Sequence, residues 1–143
     1  MNAQVSEEHI VSLPVGHVFV FGSNRAGNHG RGAARVAAYK FGAINGQGEG
    51  LQGRSYGIPT KDRYLNILPL HSVAIAIARF NRFALANPHL TFHVTKIGCG
   101  LARFKPEDVA PYFLKLPNVL YPLAFLPHLG SKINVKMTVT SNG

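Results

Sequence analysis

Three short stretches of this chain carry residue types that bind or transform anionic ligands. The first is Gly22-Ser23-Asn24-Arg25-Ala26-Gly27-Asn28-His29-Gly30-Arg31-Gly32, which runs into an Ala-rich segment. Glycine has no Cβ, so the main chain can come close to a ligand. A helix starting at the end of such a loop adds free N–H groups and the positive end of its dipole. That combination suits a diphosphate. The spacing is neither the dinucleotide-binding glycine pattern nor a P-loop, since no Gly-Lys-Ser/Thr follows, and a glycine-rich turn without a ligand is the competing reading. The second stretch is Ile58-Pro59-Thr60-Lys61-Asp62-Arg63. Lys61 is a phosphate ligand or, if desolvated, an amine nucleophile toward a carbonyl. The alternative is a solvated turn with Lys61 and Asp62 pointing into water. The third is Ile97-Gly98-Cys99-Gly100-Leu101-Ala102-Arg103-Phe104. Glycine on both sides of Cys99 makes a tight loop whose amides can form an anion-binding nest. Cys99 as a nucleophile would need a base, with His93 four residues back; a small residue packed between backbone turns fits better.

Other chemistries have little material. Asp62, Glu107 and Asp108 are the only acids beyond residue 50, too few for a paired-carboxylate hydrolase. His89 and His93 flank Leu90-Thr91-Phe92, which reads as strand, and no Cys or acid nearby completes a metal site. Neither a metal nor a cofactor is expected.

The elements that must position these stretches follow from hydrophobic patterning. His17-Val18-Phe19-Val20-Phe21 is a continuous apolar run ending at Gly22, as in a strand buried on both faces of a parallel or mixed sheet. Residues 33–41 predict a helix that stops at Gly42. Five glycines between 42 and 53 predict loop, and Ser55-Tyr56-Gly57-Ile58 predicts a short strand stopping at Pro59. Apolar residues at 73, 77, 80 and 84 predict an amphipathic helix over 70–86, ended by Asn87-Pro88. A strand is predicted over 90–97, a helix over 106–115 opened by Pro106, and a short strand over 119–123. Residues 132–140 alternate, with Ile133, Val135, Met137 and Val139 on one face, as in a half-buried edge strand. The succession of strand and helix predicts a layered α/β fold, with all three candidate loops at strand carboxyl ends, where open α/β sheets bind ligands.

The chain has 143 residues, which predicts one domain over 1–143, with a core at 16–125 and a tail at 126–143. The formal net charge is +9, and twelve basic residues but only Glu49 and Asp62 as acids lie between Arg25 and Lys105. The positive field favours anionic partners, nucleotides or nucleic acid. A single cysteine rules out an intramolecular disulfide. No apolar run reaches the roughly 18–20 residues of a membrane span, and the first residues lack a basic leader pattern. A cytoplasmic protein with no membrane partner is expected.

Taken together and in this order, the three stretches resemble the macrodomain superfamily of ADP-ribose-binding α/β modules. The similarity is to the branch holding the terminal ADP-ribose protein glycohydrolases and the macrodomain antitoxins acting on ADP-ribosylated DNA, and to short stand-alone bacterial and phage proteins of macrodomain type. Arg31-Gly32-Ala33-Ala34 through Lys40-Phe41-Gly42 resembles the Gly-rich helix start of that branch. Ile58-Pro59-Thr60-Lys61 resembles its lysine-bearing strand end, and Lys96-Ile97-Gly98-Cys99-Gly100-Leu101 its phosphate loop. The resemblance covers about residues 16–115 and implies a three-layer sandwich, a mixed sheet with helices on both faces. It implies Lys61 as catalytic nucleophile at the distal ribose, with Gly98, Cys99, Gly100 and Leu101 around the diphosphate. Gly30 and Gly32, with Asn24 nearby, fall at the distal ribose and phosphate, and Gly22, Ser23 and Thr60 complete the ligand-binding set. The implied function is binding of ADP-ribose or a related NAD-derived nucleotide, with hydrolysis of an ADP-ribosyl linkage on protein or nucleic acid. Where the glycohydrolases carry an Asp after Gly-Cys-Gly-Leu, this chain has Ala102. A basic nucleic-acid-binding module and sequestration of an NAD-derived signalling nucleotide are the alternatives.

Overall fold

The computed structural model of the chain describes residues 5–133. In chain order the elements are β1 (His17–Asn24), α1 (Gly32–Lys40), β2 (Gly50–Gln52), β3 (Ser55–Lys61), α2 (Leu70–Ala86), β4 (Thr91–Val94), α3 (Pro106–Val109) and β5 (Val119–Leu120). Two 3₁₀ segments, Ala110–Tyr112 and Leu123–His128, flank β5. The sheet order is β2-β3-β1-β4-β5. β1 pairs in parallel with β3 and β4, β4 pairs in parallel with β5, and β2 is antiparallel to β3.

The α/β expectation holds, and β1 shows why. Its side chains alternate between two covered faces. Val18 and Val20 enter a large core with α2, α3 and the second 3₁₀ segment. Phe19 and Phe21 enter a smaller core under α1. Burying each such side chain contributes about 1.5–3 kcal/mol, so a run apolar on both faces belongs at the sheet centre. On α2, Val73, Ala76, Ile77, Phe80 and Ala84 recur every three to four residues and are at most 1% exposed. On α1, Ala34 and Ala37 are the buried pair, and their small size lets the helix sit close to Phe19, Phe21 and Phe41. The helix ends at a left-handed glycine. Gly42 adopts φ +75, and the Ala43 N–H reaches back to the Ala37 carbonyl at 3.1 Å.

The structure differs from the sequence expectations at several boundaries. Residues 42–53 are not all loop: Gly50–Gln52 pairs with β3 as an edge strand. β3 runs through Pro59 to Lys61 because β2 covers it only from Ser55 to Gly57. Beyond that, no ladder bond on the β2 side needs the N–H that proline lacks. β4 spans Thr91–Val94 rather than 90–97. The Ile97 N–H turns back to the Thr95 carbonyl at 2.7 Å, a three-residue turn that bends the chain off the sheet. The helix expected over 106–115 is α-helical only to Val109, since Pro111 has no N–H to continue the ladder. The strand expected over 119–123 is reduced to Val119–Leu120. Of the tail expected as strand over 132–140, Lys132 and Ile133 are not strand, and the rest lies outside the described residues.

At the amino ends of the parallel strands, His17 Nδ1 lies 2.8 Å from His93 Nε2. Burial, then the neighbouring His17, pushes the His93 imidazole down to about 4. A group whose folded pKa is depressed below its unfolded value near 6.5 leaves the unfolded chain binding more protons between those limits. Stability from this pair is therefore present above pH 6.5 and is lost as pH falls toward 4. The loss is about 1–2 kcal/mol after discounting for partial exposure. Urea midpoints at pH 7 and pH 4.5 for wild type and His93→Gln test this. Identical pH slopes in the two proteins would remove the pair as the cause.

Candidate functional site

β1 is central, with the chain crossing from it to β3 on one side and then to β4 on the other. That reversal opens a crevice at the strand carboxyl ends. A cleft of about 470 Å³ occupies it, within the usual size of a small-molecule site. Every residue expected to bind the ligand or to carry the chemistry lines it. Gly22, Ser23 and Asn24 come from the end of β1, Gly30 and Gly32 from the loop into α1, and Thr60 and Lys61 from the end of β3. Gly98, Cys99, Gly100 and Leu101 come from the loop after β4.

Side chain-to-backbone bonds hold the loop after β1. Asn24 Nδ2 donates to the Asn28 carbonyl at 2.8 Å, and the Asn28 N–H returns to Asn24 Oδ1 at 2.9 Å. The Gly46 N–H donates to the Gly27 carbonyl at 2.9 Å, and Ser23 Oγ donates to the Gly48 carbonyl. The glycine-rich segment 42–52 thus backs the glycine-rich segment 22–32. Gly27 is where they press hardest: its φ is +71, and a Cβ there would collide with the main chain of Gly46 and Gln47. Gly27→Ala is expected to cost about 2–4 kcal/mol by strain and overpacking. A urea midpoint within error of wild type would show that the two loops do not stack this way.

At α1, Arg31 is the N-cap in extended conformation and supplies no side-chain cap. The first-turn N–H groups of a helix have no intrahelical partner, and here Gly32, Ala33 and Ala34 line the cleft. Across from them stand the loop 98–102 and Lys61. The Thr60 hydroxyl donates to the Ser23 carbonyl at 3.3 Å, and the Lys61 carbonyl accepts the Arg25 N–H at 2.9 Å, which fixes the end of β3 against β1. Among the described residues Lys61 has no carboxylate partner, and the one ion pair is Arg79 with Glu49, Nε to Oε2 at 2.5 Å. Asp62 does not serve Lys61. Its Oδ1 accepts the N–H groups of Tyr64 at 2.8 Å and Asn66 at 2.9 Å, closing a turn. The Asn66 N–H chiefly, and that of Tyr64, hold the carboxyl below its usual range.

Cys99 is half-buried, and burial pushes its thiol up to about 11, so it stays protonated at neutral pH. The thiol faces the Ile97 carbonyl at 3.6 Å, while His93 is engaged with His17. No thiolate–imidazole pair exists here. Ala102, only 5% exposed, lines the cleft beside Leu101.

The sequence reading missed part of the wall. Asn28, Arg31, Leu65, Thr95 and Lys96 also line the cleft. Leu65 takes φ +68 within the Asp62 turn, and Arg103, just past the phosphate-loop candidate, takes φ +64. These are the two non-glycine residues with positive φ among the described residues, and both belong to loops bordering the cleft. Sparsely populated backbone conformations gather at binding sites because the surrounding structure must enforce them. An Arg or Lys beside glycine-rich loops is the only signal the sequence offered for Arg31 and Lys96.

No protein-family model, curated protein or solved structure matches the chain. What the cleft can hold follows from its own chemistry. Among the described residues its lining carries three cations, Arg31, Lys61 and Lys96, and no carboxylate. The uncapped start of α1 and the loop 98–102, whose Cys99 N–H is taken by the Lys96 carbonyl at 3.0 Å, line the same space. Among the described residues no cluster of three metal-ligating side chains is present, and no helix is long and apolar enough to cross a membrane.

Proposed function

We propose that the cleft binds ADP-ribose or a related NAD-derived nucleotide, as macrodomains do. The diphosphate lies between the free N–H groups of α1 and the loop at Gly98–Leu101. The observation that carries this reading is the convergence of those donors with Arg31, Lys61 and Lys96 in a cleft without a carboxylate. A dianionic diphosphate gains from each of these groups and is repelled by none. Apolar groups on the wall, Leu65, Ala33, Ala34 and Leu101, suit the faces of sugar and base. Lys61 is the nucleophile for any hydrolysis of an ADP-ribosyl linkage. With Ala102 at the acid position, binding outpaces turnover, because a general acid/base typically contributes about 10²–10⁴-fold. Calorimetric titration with ADP-ribose at 50 and 300 mM salt tests the reading, with adenosine as control. Saturable micromolar-range binding of ADP-ribose and none of adenosine supports it, and no heat with either ligand overturns it.

One observation favours a second reading, a nucleic-acid surface. Arg25, Arg63 and Arg103 are exposed on loops around the mouth, and Tyr64 is 78% exposed beside Arg63, a ring free to stack on a base. That reading requires oligonucleotide affinity whose logarithm falls by about 0.7–0.9 per phosphate contact for each tenfold rise in salt. A flat salt response excludes it.

A further inference from the structure

His29 sits between Asn28 and Gly30, both of which line the cleft, yet its own ring turns away and is 4% exposed. The ring packs edge-on against Phe21 of the smaller core, with centroids 5.3 Å apart. Its Nε2 is 3.1 Å from Gln52 Oε1, and its main-chain N–H donates to Asn45 Oδ1 at 3.3 Å. Gln52 is itself 2% exposed and fixed at every polar atom. Its Oε1 accepts the Ile44 N–H at 2.8 Å, and its Nε2 donates to the carbonyls of Gln47 at 3.2 Å and Gly50 at 3.3 Å. The amide cannot be reversed without facing like groups to each other. Gln52 Oε1 is therefore an acceptor, and His29 must carry its proton on Nε2. That tautomer leaves Nδ1 as a buried acceptor with no partner, which His29 alone shows among the buried side chains described.

Buried acceptors are seldom left unmet, and the residue that bears one is held by something worth more than the loss. From this we infer that His29 is the positioning residue of the cleft. Its bond to Gln52 anchors β2 to the loop three residues ahead of Gly32, the uncapped start of α1, and so sets where the N–H groups of Gly32–Ala34 point. The inference rests on the nucleotide reading for its ligand but not for its mechanics. An apolar ring at 29 keeps the packing on Phe21, removes the unmet acceptor and deletes the anchor. A Gln there restores a donor near the position of Nε2.

The test uses the full chain as His29→Phe and His29→Gln, each measured for ADP-ribose affinity, thermal midpoint and amide exchange at residues 28–34. For His29→Phe we expect a midpoint within a few degrees of wild type, at least tenfold weaker ADP-ribose binding and faster exchange at 28–34. His29→Gln recovers most of both. Wild-type affinity together with wild-type exchange in His29→Phe overturns the assignment. So does a loss of affinity that Gln fails to restore in a folded protein. If the Phe variant does not fold, His29→Met, donor-free and flexible, takes its place with the same two outcomes. If wild type binds no ADP-ribose, the nucleotide reading fails on its own. Exchange at 28–34 then still decides whether His29 anchors the loop.

Discussion

Gly100→Glu is expected to weaken ADP-ribose binding by about 100-fold or more while leaving the thermal midpoint unchanged. A Cβ at Gly100 meets no heavy atom within 4 Å, and its φ lies outside the left-handed region, so the backbone accepts a side chain there. The new carboxylate enters a cleft whose lining carries no other. A like charge about 4 Å from a phosphate costs about 4 kcal/mol at an effective dielectric near 20. That is more than two factors of ten in affinity. Few sites allow so clean a separation of fold from function, because most phosphate-loop glycines cannot be substituted without strain. Wild-type affinity in a folded Gly100→Glu protein would mean that the anion does not lie on this loop.

Ala102→Asp is expected to raise hydrolysis of an ADP-ribosyl linkage by about 10²–10⁴-fold, the usual contribution of a positioned general acid/base. Lys61→Ala in that background should return the rate to baseline. The same carboxylate repels the diphosphate, so affinity should fall as turnover rises, and the readout is the rate of released ADP-ribose at saturation. Ala102 is nearly buried, so a lower thermal midpoint is also expected. If Ala102→Asp binds ADP-ribose and turns over no faster than wild type, Lys61 and position 102 do not cooperate, and the cleft is a binder only. A rate that survives Lys61→Ala would remove the lysine from the chemistry.

The sequence showed which residues meet but not how they are held. β1 was legible because four apolar residues in a row, Val18 to Phe21, demand cover on both faces, and α2 because its apolar spacing is that of a helix. The three loops could be tied together because each follows a strand, and strands that run parallel bring their carboxyl ends to one edge. β2 was not legible. Gly50-Leu51-Gln52 has no strand pattern, and its pairing comes from contact with β3 rather than from propensity. Pro59 misled because proline ends a strand only where its missing N–H is needed, and that depends on how far the neighbouring strand reaches. The Asp62 turn was half visible. Neighbours at a strand end point to opposite sides, which already made Asp62 a poor partner for Lys61, but the turn that occupies its carboxylate appears only in the fold. The His29–Gln52 bond joins residues 23 apart in two glycine-rich stretches, and no periodicity marks it.

The wall at Gly98–Leu101 and the start of α1 present main chain to the cleft, and this shapes how the protein tolerates mutation. Recognition that runs through peptide N–H groups depends on the path of the chain, not on which side chains decorate it. Substitutions at Arg31 or Lys96 should tune affinity in small steps, since each removes one charge among several. Substitutions at Gly27 or His29, which direct the path, should act nearly all or none. A library of variants selected for binding would then divide into two populations, one graded and one abrupt. The abrupt class would mark the residues behind the wall rather than those on it.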